Sequence, residues 1–189
     1  LNFTSALVAT TLLLSQVQSV HAVDVIITSD TGTTVTNSAT LDNFTNSATI
    51  TTSGGDDGIH NSGTITTFTN SGTIIGGDDG ILNSGTITTI TNSGTIIGGD
   101  DGIQNAGTIT SLINSGSITG TYGVYAGGGR TLTTITNSGT IIGTYGFFRA
   151  GVDGETTNVI NSGTISGTTG AIVNTGTVNL TLNKGSVLI

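Results

Sequence analysis

Cysteine, proline, methionine and tryptophan are all missing from this 189-residue chain, and charged residues make up only 7% of it. Without cysteine there are no disulfides and no thiolate metal sites. That absence suits a chain that crosses a membrane unfolded as well as a cytosolic one, so it does not locate the protein. Basic residues are equally scarce: Arg130, Arg149 and Lys184 stand far apart against eleven acidic residues, for a formal charge of −8. Neutralising phosphates needs clustered Lys and Arg, so nucleic acid is not an expected partner. Runs of strong helix formers are missing too. So are the proline and dense charge of a disordered chain, while isoleucine recurs on schedule. Thr, Ser, Asn, Gly and Ile dominate, a composition that predicts an all-β fold with many tight turns.

What is present is a repeat. Asn-Ser-Gly-Thr-Ile stands unaltered from Asn61, Asn70, Asn83, Asn92, Asn137 and Asn161, and with conservative changes from Asn37, Asn46, Asn105, Asn114, Asn174 and Asn183. The starts of neighbouring copies differ by 9, as from 61 to 70, or by 13, as from 70 to 83, which makes a larger unit of 22. A fixed period of this size predicts a solenoid. Taking the second Asn of each pair (46, 70, 92, 114, 137, 161, 183) as the coil boundary gives seven coils, with steps between 22 and 24. At ~4.8 Å per coil the rod is about 34 Å long.

The strand period assigns the side chains. In the coil 81–102, Asn83, Gly85 and Ile87 point inward and Ser84 and Thr86 outward. Ile87 and Ile90 are three apart, so both face inward only if the chain turns a corner near Thr88 and Thr89. Inward asparagines stacked coil upon coil are placed to bond one another as a ladder. One coil cannot bury enough apolar surface to fold alone, so stability comes from stacking.

The segment from Leu1 to Ala22 reads as an export signal. Leu1–Leu14 is largely apolar, with a core at Leu12–Leu14, and Val20-His21-Ala22 fits a cleavage site after Ala22. No Met and no Lys or Arg precede the apolar core, and we read the signal as truncated at its start. The alternative is a first strand or helix that caps the solenoid. Val23–Ile27 reads as a strand entering the repeats at 23–189, a region expected to be a fragment of a longer protein.

The reiterated pentapeptide with Gly-Ile-x-Asn between copies, on this period and behind an export signal, resembles the passenger region of bacterial autotransporters. The resemblance covers about residues 37–189. It implies a single right-handed parallel β-helix exposed outside a Gram-negative cell, at the outer-membrane surface or released, with an adhesive or structural role. It also implies a host or neighbouring-cell receptor or glycan as partner, and a translocator β-barrel after Ile189.

Two stretches depart from the plain coil. Gly-Gly-Asp-Asp-Gly recurs at 54–58, 76–80 and 98–102, stacking Asp56, Asp78 and Asp100 in one column and Asp57, Asp79 and Asp101 in the next. Six carboxylates on one edge make a candidate Ca²⁺ site, Ca²⁺ preferring oxygens from several chain segments; the alternative is a solvated turn. No other cofactor is expected. The second departure is 120–155, where Gly-Thr-Tyr-Gly replaces the acidic turn and the first pentapeptide of two coils is lost. Tyr122, Tyr125, Arg130, Tyr145, Arg149 and Glu155 gather there as candidate ligand-binding residues, with Tyr122 and Tyr145 in one column. Insertion-tolerant turns explain the same residues without a site.

Catalysis is not expected. His60 has Leu82 and Gln104 in its repeat register, which reads as an outward substituted position and not as a base held by a third group. The Asp columns supply half of what a polysaccharide-cleaving β-helix enzyme gathers on one face. A further alternative rests on Thr64-Ile-Thr66, Thr86-Ile-Thr88, Thr108-Ile-Thr110 and Thr131-Leu-Thr133. These place two outward Thr columns in register, similar to the Thr-x-Thr face of ice-binding β-solenoids.

Overall fold

In the computed structural model, which describes residues 24–151 and 156–189, the expected solenoid is present. Among the described residues there is no helix, and the strands pair in parallel throughout. They build a β-solenoid of the right-handed type with about seven turns. Each coil carries three strand segments, for example Ile81–Asn83, Thr86–Asn92 and Thr95–Gly98. The long segments stack into an eight-stranded sheet. The two short ones form ladders that merge into a twelve-stranded sheet where the strand Thr140–Arg149 runs through both. The expected strand at the entry exists as Val25–Ile27, paired with Phe44–Asn46. The export signal and its cleavage site, with Val23, lie outside the described residues.

Inside the coil 81–98, Ile81, Ile87, Ile90 and Ile96 are all fully buried. The long strand buries Ile87 and Ile90 and exposes Thr88 between them, and pairing to the next coil skips Thr88 and its partner Thr110. This is the expected corner: two consecutive outward residues bend the strand so that both isoleucines face in. Phe44 and Phe68 take the Ile90 column in the first coils and stack at 5.0 Å.

Two asparagine ladders run through the interior. Asn46, Asn70, Asn92, Asn114, Asn137 and Asn161 form one, each Nδ2 donating to the next Oδ1 at 2.8 Å. Asn37, Asn61, Asn83 and Asn105 form the other. All ten are buried, and each amide donates in addition to a backbone carbonyl, as Asn92 does to Ser117 at 3.2 Å. A buried amide is tolerated only when its groups are satisfied, and here the repeat supplies the partners.

The glycine of the pentapeptide answers to close packing. A Cβ on Gly85 would lie 2.1 Å from the Gly63 carbonyl oxygen of the coil below, and one on Gly94 would lie 2.0 Å from that of Gly72. Alanine occupies this position only at Ala39 and Ala48, where the two columns begin.

The register shifts between Gly143 and Tyr145, which pair with Gly167 and Gly170, and it departs from the repeat count again near the end of the chain. Leu182 pairs with Asn161, and Asn183 falls one position past the column, donating its N–H to the Asn161 carbonyl at 2.8 Å. The outer ladder therefore ends at Asn161, and the pentapeptide read at Asn183 is not a copy in register.

Candidate binding seam

The Asp-Asp-Gly and Tyr-Gly turns occupy equivalent places in successive coils. Asp101 pairs with Tyr122 and Tyr122 with Tyr145. Gln104 pairs with Tyr125 and Tyr125 with Phe148, while His60 and Leu82 lie below Gln104 in the same column. Five rungs thus carry two outward residues three apart: Asp57 with His60, Asp79 with Leu82, Asp101 with Gln104, Tyr122 with Tyr125, and Tyr145 with Phe148.

The residues between each pair turn inward together. Gly80, Gly102, Gly123 and Gly146 are buried beside Ile81, Ile103, Val124 and Phe147. Glycine is required there because a Cβ would meet the Cγ2 of an interior isoleucine at 2.7 Å, Ile118 in the case of Gly102. With two consecutive residues inside, the flanking side chains come out on the same side and converge. His60 Nδ1 lies 3.6 Å from Asp57 Oδ2, Gln104 Nε2 donates to Asp101 Oδ2 at 3.1 Å, and the Tyr122 and Tyr125 rings meet edge to face at 5.3 Å. Convergence on the outside means that this corner is concave to solvent, the reverse of the corner at Thr88. A re-entrant seam therefore runs along the rod, acidic at one end and aromatic at the other.

In the acidic half two of the inner carboxylates reach toward the next coil. Asp57 Oδ1 accepts the Asp79 N–H at 3.3 Å, and Asp79 Oδ1 accepts the Asp101 N–H at 3.1 Å. Asp79 and Asp101 are each 2% exposed, whereas Asp56, Asp78 and Asp100 lie in the open. The six carboxylates expected on one edge thus split into an inner column, with Asp57 half-buried and Asp79 and Asp101 buried, and an exposed one. Burial raises all three inner acids, with added repulsion from neighbouring carboxylates. Asp79 is pushed up to about 8, helped by Asp101. Asp101 reaches about 7 despite the Gln104 hydrogen bond, and Asp57 rises as well, opposed by the Asp79 N–H and His60. Oxygens of Asp57, Asp78 and Asp79 converge within 4.8 Å of one another. Ca²⁺ takes 6–8 oxygens, and here one oxygen each of Asp57 and Asp79 is already committed to a backbone N–H.

In the aromatic half, Tyr122 stacks on Tyr145 at 5.1 Å and Tyr125 on Phe148 at 5.8 Å, and the two stacks contact each other edge to face. The remaining described aromatics, Phe44, Phe68 and Phe147, are core residues. The structure brings together Tyr122, Tyr125 and Tyr145 as expected, adds Phe148, and joins the aromatic group to the Asp column. Phe148 was legible in the repeat register, since it aligns with Gln104.

The two arginines do not join them. Arg149 takes the place of the inner asparagine in its coil, 2% exposed, and donates to Thr157 Oγ1 at 2.7 Å and to the Arg130 carbonyl at 3.1 Å. Its guanidinium holds the interior where the ladder lapses and does not reach the seam. Arg130 is exposed, in the turn that follows Ala126. Glu155 lies outside the described residues. His60 faces outward, as its register implied.

The threonine columns differ in kind. Thr64, Thr86, Thr108 and Thr131 pair in register, but Thr66, Thr88, Thr110 and Thr133 sit on the convex corner, outside the paired ladder.

No protein-family model matches the chain, and neither a curated protein nor a solved structure matches it.

Proposed function

We propose that the chain is the passenger part of an exported, non-catalytic β-solenoid of the autotransporter type, displayed at a bacterial surface, whose adhesive contact is the re-entrant seam. The observation that carries the reading is the seam itself. Exposed aliphatics such as Ile113 and Ile142 stand elsewhere on the outer surface, whereas in the seam four half-buried aromatic side chains crowd together on the outside, and a contiguous apolar cluster at a surface marks a contact. The export signal and the pentapeptide repeat support the location. Expression of the full reading frame in a Gram-negative host is expected to give a processed chain that antibody reaches on intact cells and that makes those cells adhere. An unprocessed chain found only inside the cell sinks the reading, as does a frame that stops at codon 189 with no translocator barrel.

A second reading rests on the in-register Thr64–Thr131 column, which presents hydroxyl and methyl groups at the coil spacing and supports ice binding. Thermal hysteresis of the purified chain below 0 °C tests it, and none at millimolar protein removes it.

A further inference from the structure

Building on the adhesive reading, we propose that the seam takes an extended basic peptide, its Lys or Arg side chains set against the acidic half and its apolar side chains against the aromatic half. Three observations carry this.

The first is shape. From His60 to Phe148 the seam spans four coil steps, about 19 Å at ~4.8 Å each, which matches an extended segment of roughly six residues. The strands beneath it are already paired on both sides in the central coils. The occupant therefore lies across them and is held by its side chains.

The second is charge. Apart from His60, no basic side chain among the described residues lines the seam, and the oxygens of Asp57, Asp78 and Asp79 converge within 4.8 Å. One buried acceptor is also incomplete. Asp101 is 2% exposed, its Oδ2 is held by Gln104, and its Oδ1 has no hydrogen-bond partner among the described residues. The corresponding oxygens of Asp57 and Asp79 each receive the N–H of the next coil. At Asp101 that donor is lost, because Tyr122 N–H turns to the Asp100 carbonyl at 3.2 Å. The orphaned oxygen thus stands at the junction of the acidic and aromatic halves. An ammonium or guanidinium N–H is the donor it lacks, reached by swinging the half-buried Gln104 amide aside.

The third observation separates a peptide from a glycan. A sugar stacks on an open aromatic face, and here each stack of two rings covers one face of each of its members, while Val173 stands opposite the far side of Phe148 and Gly170 opposite that of Tyr145. What the two stacks offer most of is ring edge, which suits leucine- or valine-like side chains.

The test uses the full chain and labelled hexapeptides in fluorescence anisotropy: alternating Lys and Leu, with Gln–Leu and Glu–Leu as controls. The Lys peptide is expected to bind at least roughly tenfold more tightly than the Gln peptide and to weaken as salt is raised, with the Glu peptide not binding. Asp57→Asn with Asp78→Asn should cost roughly tenfold for the Lys peptide alone, and Tyr125→Ser with Phe148→Ser should weaken the Lys and Gln peptides alike. Equal affinity for the Lys and Gln peptides overturns the proposal, as does binding indifferent to both variant pairs. Saturable Ca²⁺ binding that excludes the Lys peptide and is lost in the Asp variant reassigns the acidic half to a metal. Should either variant fail to fold by circular dichroism, the salt dependence and the three-peptide comparison on the unmodified chain decide. Cells that adhere while the Lys peptide does not bind would leave the adhesive reading standing and remove the peptide.

Discussion

Asn92 sits midway in a chain of six amides, accepting from Asn70 and donating to Asn114, both at 2.8 Å. Truncation to alanine leaves the Asn114 Oδ1 without its donor in a closely packed interior, while the Asn70 amide keeps the Gly72 and Thr95 carbonyls. An orphaned buried group costs about 1–3 kcal/mol, so Asn92→Ala should lower the unfolding free energy in urea by about that amount. Asn183→Ala, one position beyond the column, should stay within about 0.5 kcal/mol. Equal effects would mean that the ladder does not contribute. Glycine gives a second contrast at this scale. A Cβ on Gly94 would collide with the Gly72 carbonyl at 2.0 Å, while one on Gly55 would meet nothing within 4 Å. Gly94→Ala should therefore cost at least about 2 kcal/mol through forced separation of the coils, and Gly55→Ala should leave the melting temperature unchanged within error. Both residues are glycines between strands, and the neighbouring coil tells them apart.

Among the elements, the acidic column ties folding to pH. Asp79 and Asp101 ionise near 8 and 7 in the folded chain because burial disfavours the charged form, against an ordinary value near 4 when unfolded. A raised folded value favours the protonated acid, so this contribution to stability is complete below about pH 4. It is lost progressively as pH rises through about 7 and then 8. The melting temperature should fall between pH 5 and pH 9. Asp79→Asn, which keeps an oxygen for the Asp101 N–H, should flatten that slope and raise the melting temperature at pH 8.5; a flat profile in the unmodified chain contradicts this coupling. Columns of this kind are readable from the sequence, because a fixed period stacks equivalent residues: the Asp columns, the Tyr122–Tyr145 pair, the asparagine ladders and the corner at Thr88 all follow from counting. Proximity between columns is not readable in that way. That Asp101 touches Gln104, and Tyr122 touches Tyr125, depends on a second corner bent in the opposite sense, set by whether a glycine Cβ would strike an interior isoleucine. Arg149 shows the other limit. Its charge suggested the surface, whereas its register with Asn105 and Ala126 places it inside, and hydrogen bonds to Thr157 and backbone carbonyls make that position tolerable.

For the molecule as a whole, the seam is continuous because pairing carries Asp101 to Tyr122 to Tyr145 and Gln104 to Tyr125 to Phe148, and the same stacking sets how the chain unfolds. Each coil touches mainly its two neighbours, so stability is a sum over interfaces and cooperativity depends on no interface being weak. Removing residues 83–104 deletes one complete coil and joins Leu82 to Asn105, which restores the inner column as Asn61 followed by Asn105 and leaves every other contact type intact. This variant should fold, unfold in one transition, and show a urea m-value lower by roughly a seventh, the share of one coil in about seven turns. Removing only residues 83–91 takes the same number of interior isoleucines from the long strand but leaves Leu82 joined to Asn92, so the eight-stranded sheet loses a rung while the two short ladders keep theirs. The coils on either side can then no longer stack on all three strands at once. That shorter deletion, although it removes less of the chain, should unfold in two separated transitions or fail to fold, as followed by circular dichroism and size-exclusion chromatography. If the shorter deletion instead proves as cooperative as the full-coil deletion, the unit of folding is the single pentapeptide strand and not the coil.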